Sequence, residues 1–271
     1  MAAPGSNGEW MVVGPRRGMP RRGIREKPMV RAKALEERES WTPIDSENDP
    51  EGVLKLTCKV ELLMKKMESS LFYHALMKQI EDPEVFGCFI RVLGSSSQMQ
   101  MVVYGIGSIE SYEPPRLQLS LALLMKRKFS WIGDIEVFDP ILSKMECEVL
   151  ESLGCRILSI NEQGRRNVLK PTLFFMPHCE ADLYNNLLQA NWSADSLKRI
   201  ALFGNSFHTY KLASELNGSI VQSAKHVLAA AEFADEFKVE IVSDDFLRAF
   251  HDSSWHFFGS VLESKLPSIF S

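Results

Sequence analysis

Apolar residues recur along this chain first at helical and then at strand spacing. Asp49-Pro50 reads as a helix start, with the acid as cap and proline in the first turn, where no N–H is required. Leu56, Val60, Leu63, Met64, Met67, Leu71 and Leu76 follow on one face, with Lys65, Lys66 and Glu68 on the other. That spacing predicts one long amphipathic helix to about Ile80. After Gly94-Ser-Ser-Ser97 the pattern changes. Short apolar runs at 99–104, 135–138, 155–160, 172–176 and 197–203 predict five strands. Helical patterns at 116–129, 142–153 and 181–190 lie between them, and Gly154 suits a helix C-terminus. Further on, the Ala-rich stretch 223–237 reads as helix and 238–242 as a late strand. Apolar rather than alternating strands, separated by helices, predict an α/β fold: a Rossmann-like parallel sheet with helices on both faces. Right-handed crossovers favour a doubly wound order.

Composition changes this picture only at the ends. Of the 271 residues, 45% are hydrophobic and 24% charged, which suits a packed core. The net charge of -4 conceals segregation. Residues 1–35 hold eight Lys or Arg against Glu9 and Glu26, whereas 232–271 hold eight acids against Lys238, Arg248 and Lys265. Gly, Pro and Arg dominate the first 48 residues, so 1–48 is expected to be a disordered basic tail with one apolar island at Trp10-Met-Val-Val13. A helical segment at 49–98 and a Rossmann-like domain with a helical C-terminal extension at 99–271 complete the expected organisation. Five cysteines at irregular spacing, with no Cys-x-x-Cys, indicate neither a zinc cage nor a disulfide framework. With no secretory pattern and no ~20-residue apolar run, the expected location is cytosolic or nuclear.

Candidate chemistry gathers where the predicted strands end. In open parallel sheets ligands bind beyond the carboxyl ends of the strands. Here those ends carry Gly105, Gly107 and Ser108, then Asp139, then Asn161 and Glu162, then His178 and Cys179, then Asn205 and Ser206. Turns favour the same residue types for backbone reasons alone. Gly105-x-Gly107 would let a nucleoside or phosphate approach a helix N-terminus, but Glu110 stands where a dinucleotide fingerprint needs its third glycine. Asp139 would suit a ribose hydroxyl, and suits better a helix cap followed by Pro140. His178 fits a general base, a metal or haem ligand, or a structural hydrogen-bonded group. Cys179 as a nucleophile would need a depressed pKa, which Glu180 and Asp182 oppose. No nucleophile elbow, phosphate-binding loop or metal motif occurs, so no catalytic or metal-binding residue is assigned. The arginine-rich 15–27 stretch suits a nuclear-import signal ahead of a nucleic-acid contact or a solubilising tail; no aromatics interleave with it for base stacking.

A resemblance rests on these same segments. Val103-Tyr-Gly-Ile-Gly-Ser108, Arg116-Leu-Gln118, Phe138-Asp-Pro140, Glu146, Leu153-Gly154 and Asn161-Glu162 with Gly164 occur in order. Pro171-Thr-Leu-Phe-Phe-Met-Pro-His-Cys179, Leu183-Tyr-Asn185, Ala190-Asn-Trp192 and Gly204-Asn-Ser-Phe207 follow. Together they resemble the sensitivity-to-red-light-reduced (SRR-like) family. Ala249-Phe-His-Asp252 is similar to a family ending, with His251 where Asn is expected, and Glu9-Trp-Met-Val-Val13 with Pro15-Arg-Arg17 is similar to plant members. The resemblance implies a regulator of circadian-clock input and phytochrome B-linked red-light signalling, acting with protein partners in nucleus and cytoplasm. It brings no settled reaction and so no catalytic residues to carry over; the residues themselves lead one to expect neither direct nucleic-acid recognition nor a membrane. Animal relatives are associated with clock-gene expression and haem metabolism. Two alternatives stay open: a transferase holding a nucleoside cofactor between Gly105, Gly107 and Asp139, and a haem-handling protein using His178 or Cys179. The cofactor itself is left unspecified.

Overall fold

The computed structural model describes residues 40–46, 49–216, 223–242 and 244–259. Residues 1–39 of the expected basic tail, with its apolar island and the import segment, lie outside these; its described part, 40–46, packs on the domain instead, with Trp41 N donating to Ser159 O at 2.7 Å and the Trp41 ring 5.4 Å from that of Phe138. The described residues belong to one compact unit that begins at Arg38.

Three helices open it: α1 (Pro50–Glu68), α2 (Leu71–Glu81) and α3 (Pro83–Leu93). The single long helix expected to Ile80 is therefore broken at Ser69-Ser70. The Ser70 hydroxyl accepts from Tyr73 N and donates to Met67 O, satisfying backbone groups that a continuous helix would have paired itself. Asp82 caps α3 in the same way, accepting from Glu84 N ahead of Pro83.

The sheet then runs β1 (Met99–Tyr104), α4 (Glu113–Lys128), β2 (Ile132–Phe138), α5 (Lys144–Ser152), β3 (Cys155–Ile157), β4 (Thr172–Met176), α6 (Ala181–Ala190), α7 (Ala194–Leu197) and β5 (Ile200–Asn205). After it come α8 (Phe207–Leu216), α9 (Lys225–Ala230), β6 (Ala234–Lys238), α10 (Asp244–Phe250) and β7 (Ser253–Phe258). Helix α4 starts three residues earlier than its apolar pattern, because Pro114 and Pro115 fit the first turn, where the missing N–H costs nothing.

The seven strands among the described residues order as β3-β2-β1-β4-β5-β7-β6. Strands β1 to β5 are parallel, and β7 pairs antiparallel with both β5 and β6. The sheet is thus mixed, mostly parallel, rather than wholly parallel. The late strand expected at 238–242 is instead β6 at 234–238, inside the stretch read as helix, and β7 was not anticipated. Ala-Asp-Glu-Phe-Lys shows little apolar periodicity because β6 is a half-exposed edge strand paired only to β7.

Both sheet faces are covered. Met101, Val103, Phe175, Phe203 and Trp255 point into a core shared with α1–α5 and α10. Val102, Phe174, Met176 and Leu202 point into a second core closed by α6, α8 and α9. Alternation of buried side chains across two covered faces is why the strands read as continuous apolar runs. In the first core, Phe89 of α3 is fully buried, its ring 4.8 Å from Trp131, 5.2 Å from Trp255 and 4.8 Å from Phe257. Phe89→Ala should cost about 3–5 kcal/mol in urea denaturation; a loss below about 1 kcal/mol would contradict this packing.

Candidate functional site

The chain leaves β1 and winds outward through β2 and β3. It then returns to the other side of β1 as β4, so the strand order reverses between β1 and β4. The carboxyl ends of these strands form the candidate site.

The β1–α4 loop is locked from several directions. Gly105 has φ +65°, and a Cβ on it would sit 2.6 Å from Cys179 Sγ. The Cys179 thiol donates to Tyr104 O at 3.2 Å, and burial pushes its pKa well up, so it is a packed thiol rather than a thiolate. Gly107 N donates to Asp139 Oδ2 at 2.7 Å, and Ile141 N to Asp139 Oδ1 at 3.0 Å. Ser108 Oγ and Glu110 N both donate to Glu146 Oε1, at 2.7 and 2.9 Å. Arg116 closes the loop by donating to the carbonyls of Ile109 and Glu110. Asp139 is not a helix cap, contrary to the favoured sequence reading. Helix α5 starts later, capped by Ser143 in a reciprocal box with Glu146, while Asp139 holds the neighbouring glycine loop.

At the end of β4, His178 adopts a left-handed φ of +59°. Its N–H donates to Asn205 Oδ1 at 2.7 Å, and Asn205 Nδ2 donates to Cys179 O and Tyr210 Oη. Asn205 therefore clamps the β4–α6 turn. Tyr184 adds to the clamp: its hydroxyl accepts from Asn205 N and donates to Met176 O. The His178 ring packs 4.2 Å from that of His251, with Nε2 at 3.0 Å from His251 O. Burial lowers the His178 pKa, against the opposing effect of that carbonyl, and favours the neutral ring. The hydrogen bond uses a backbone carbonyl that any residue supplies, which is compatible with His in place of the expected Asn at 251.

Beyond β3, Asn161 Oδ1 accepts from Gln163 N, turning the chain through Gln163 (φ +48°) and Gly164 (φ +77°). A Cβ on Gly164 would meet Leu183 O at 2.7 Å, so only glycine lets this loop approach α6. Glu162 accepts from the Tyr104 hydroxyl and pairs with Arg166. Arg166 also pairs, at 2.6 Å, with Glu136, a fully buried carboxylate on β2 that Arg156 neutralises from its other side.

These segments enclose a crevice of about 380 Å³ whose walls include Tyr104, Phe138, Cys179 and Leu183. Of the residues singled out from sequence, Gly105, Asn161, His178 and Cys179 line it. Glu162 stands behind Tyr104, and Asn205 behind the His178 turn. Gly107, Ser108 and Asp139 are taken up by the loop lock. Ser206 lies apart, at the start of α8, where its hydroxyl accepts from Thr209 N. Sequence reasoning missed Phe138, Gln163 and Asn186 as lining residues; an aromatic ending a strand reads as core, and the carboxamides read as loop. Among the described residues, no three His, Cys, Asp or Glu side chains converge as a metal site requires, and no helix is long and apolar enough to cross a membrane.

A second polar cluster sits at the antiparallel edge of the sheet. His256 on β7 is fully buried, with Nε2 3.7 Å from Glu236 Oε1 and its ring 3.9 Å from that of Phe207. His208 N donates to the other Glu236 oxygen at 3.1 Å.

The class these features define is a Rossmann-like α/β domain with a crevice at its topological switch point. The model of the SRR1 domain matches residues 67–257, and the chain belongs to that family. It is 55% identical over 263 residues to "Protein SENSITIVITY TO RED LIGHT REDUCED 1" of Arabidopsis thaliana, covering 97% of this chain and 95% of that protein. An "SRR1-like protein" of Mus musculus is 46% identical over 120 residues, covering 42% of this chain and 46% of that protein. Another of Drosophila melanogaster is 28% identical over 123 residues, covering 45% of this chain and 41% of that protein. No solved structure matches.

Burial works against the Glu236 charge, but His256 outweighs it, aided by Ser206 and Ser254, and holds the carboxyl down from 4.5 to about 2. A carboxyl depressed on folding stabilises the protein above its unfolded pKa, and that contribution is lost as pH falls from about 4.5 toward 2. In urea denaturation across this range, wild type should lose about 1–3 kcal/mol more than Glu236→Gln. Parallel pH profiles would contradict the pairing.

Proposed function

We propose that this chain is a regulator in red-light signalling. The observation that carries the reading is the 55% identity, extending over 97% of the chain, to the Arabidopsis protein named for reduced sensitivity to red light. The matched length spans the segments that form the loop lock, the β4–α6 clamp and the crevice. The finer reading is input to the circadian clock, linked to phytochrome B and needed for normal clock-gene expression. It places the chain in nucleus and cytoplasm, with protein partners rather than nucleic acid as its contacts. The site chemistry favours regulation over catalysis. The buried thiol of Cys179 and the hydrogen-bonded ring of His178 are structural elements of a turn, not an activated nucleophile and base.

Complementation tests this reading directly. Expressed in Arabidopsis plants lacking the relative, the chain should restore seedling responsiveness to red light and the period of clock-gene expression. Restored red-light response without restored period would confine the role to light signalling. Failure of both, with the protein accumulating normally, would refute the proposal.

A further inference from the structure

The locked loop and the crevice beside it specify a ligand chemistry. We propose that the switch-point crevice binds a phosphate-free nucleoside carrying positive charge, of the S-adenosyl sulfonium class. The proposal stands independently of the signalling role.

Position comes first. The crevice opens between the ends of β1 and β4, where the strand order reverses, which is where open α/β sheets hold their ligands. Its volume of about 380 Å³ lies in the ordinary range of small-molecule pockets. Fold by itself assigns no chemistry. The lining does.

A phosphate has no cradle here. The Gly107 N–H is given to Asp139, Gly105 is covered by the Cys179 sulfur, and Pro114 and Pro115 supply no N–H at the start of α4. The lining contains no Lys or Arg. The nearby guanidinium of Arg166 is held by Glu136 and Glu162. A dinucleotide or nucleoside triphosphate would bring unneutralised anionic charge into this setting.

The groups present suit the opposite kind of molecule. Tyr104, Phe138, Pro140 and Leu183 offer apolar wall for a flat ring system. Asn161 and Asn186 each commit one end of the carboxamide to the 161–164 loop, Oδ1 in Asn161 and Nδ2 in Asn186. That leaves an amide donor at one and an acceptor at the other, the pairing a purine edge or ribose hydroxyl requires. At the rim, Glu180 and Asp182 are exposed carboxylates at the start of α6. Their charge favours the helix dipole and, from the same position, a cationic ligand.

Isothermal titration of the full chain with S-adenosylmethionine, S-adenosylhomocysteine, ATP and NAD tests the assignment. Both adenosyl compounds should bind, and ATP and NAD should not. Glu180→Gln combined with Asp182→Asn removes two exposed charges while leaving the buried lock in place. It should weaken S-adenosylmethionine roughly fivefold, and the uncharged-sulfur analogue less, as expected for partly exposed charge pairs. Pro140→Trp, at an exposed wall position, should abolish binding with an unchanged circular dichroism spectrum. No binding of either adenosyl compound at millimolar concentration, or equal binding of ATP or NAD, overturns the proposal. Adenosyl binding unaffected by Pro140→Trp overturns the site.

Discussion

The close approach of β1 to the turn after β4 governs the rest of the site. A Cβ on Gly105 would lie 2.6 Å from Cys179 Sγ, so the sulfur occupies the space a larger residue would need. That contact draws the two strand ends together at the point where the order reverses. Everything around it reads as a means of holding it. Asp139, Glu146 and Arg116 fasten the loop on the β1 side, and Asn205 with Tyr184 fastens the turn on the β4 side. Each bond contributes modestly, about 0.5–1.5 kcal/mol net, more where a carboxylate accepts. Their effect is cumulative because they converge on two short segments that have no regular structure to fix them.

Charge is handled in the same economical way. Glu136 is buried in the middle of β2, where an unpaired carboxylate would be severely destabilising. Arg156 comes from the adjacent strand and Arg166 from the loop beyond it; Arg166 then reaches Glu162, which accepts from Tyr104. A strand-centre charge is thereby connected to the crevice wall. Removing Arg166 would disturb both the sheet and the loop that shapes the pocket.

Much of the parallel core was legible in the sequence, because strands buried on both faces are apolar nearly throughout, as Met101 to Tyr104 and Leu173 to Met176 are. The antiparallel end was not. Strand β6 is a polar edge whose conformation is set by pairing with β7, a tertiary effect without local periodicity. The break between α1 and α2 was hidden because its apolar positions continue in helical phase, and only the Ser69-Ser70 hydroxyls mark it. Of the site, the strand-end residues were identifiable by position, but their division of labour was not. Asp139 looked like a cap because Pro140 follows it; the true cap is Ser143, and the carboxylate's work is done across 32 residues, on Gly107. No sequence spacing announces a hydrogen bond of that separation.

The glycine loop after β1 is held shut by side chains rather than left open to cradle a phosphate. Hydrogen–deuterium exchange resolved to single amides tests it most directly. The amides of Gly107 and Glu110, bonded to Asp139 and Glu146, should exchange as slowly as those in the centre of β1. Exchange of both at the rate of an exposed loop would contradict the account.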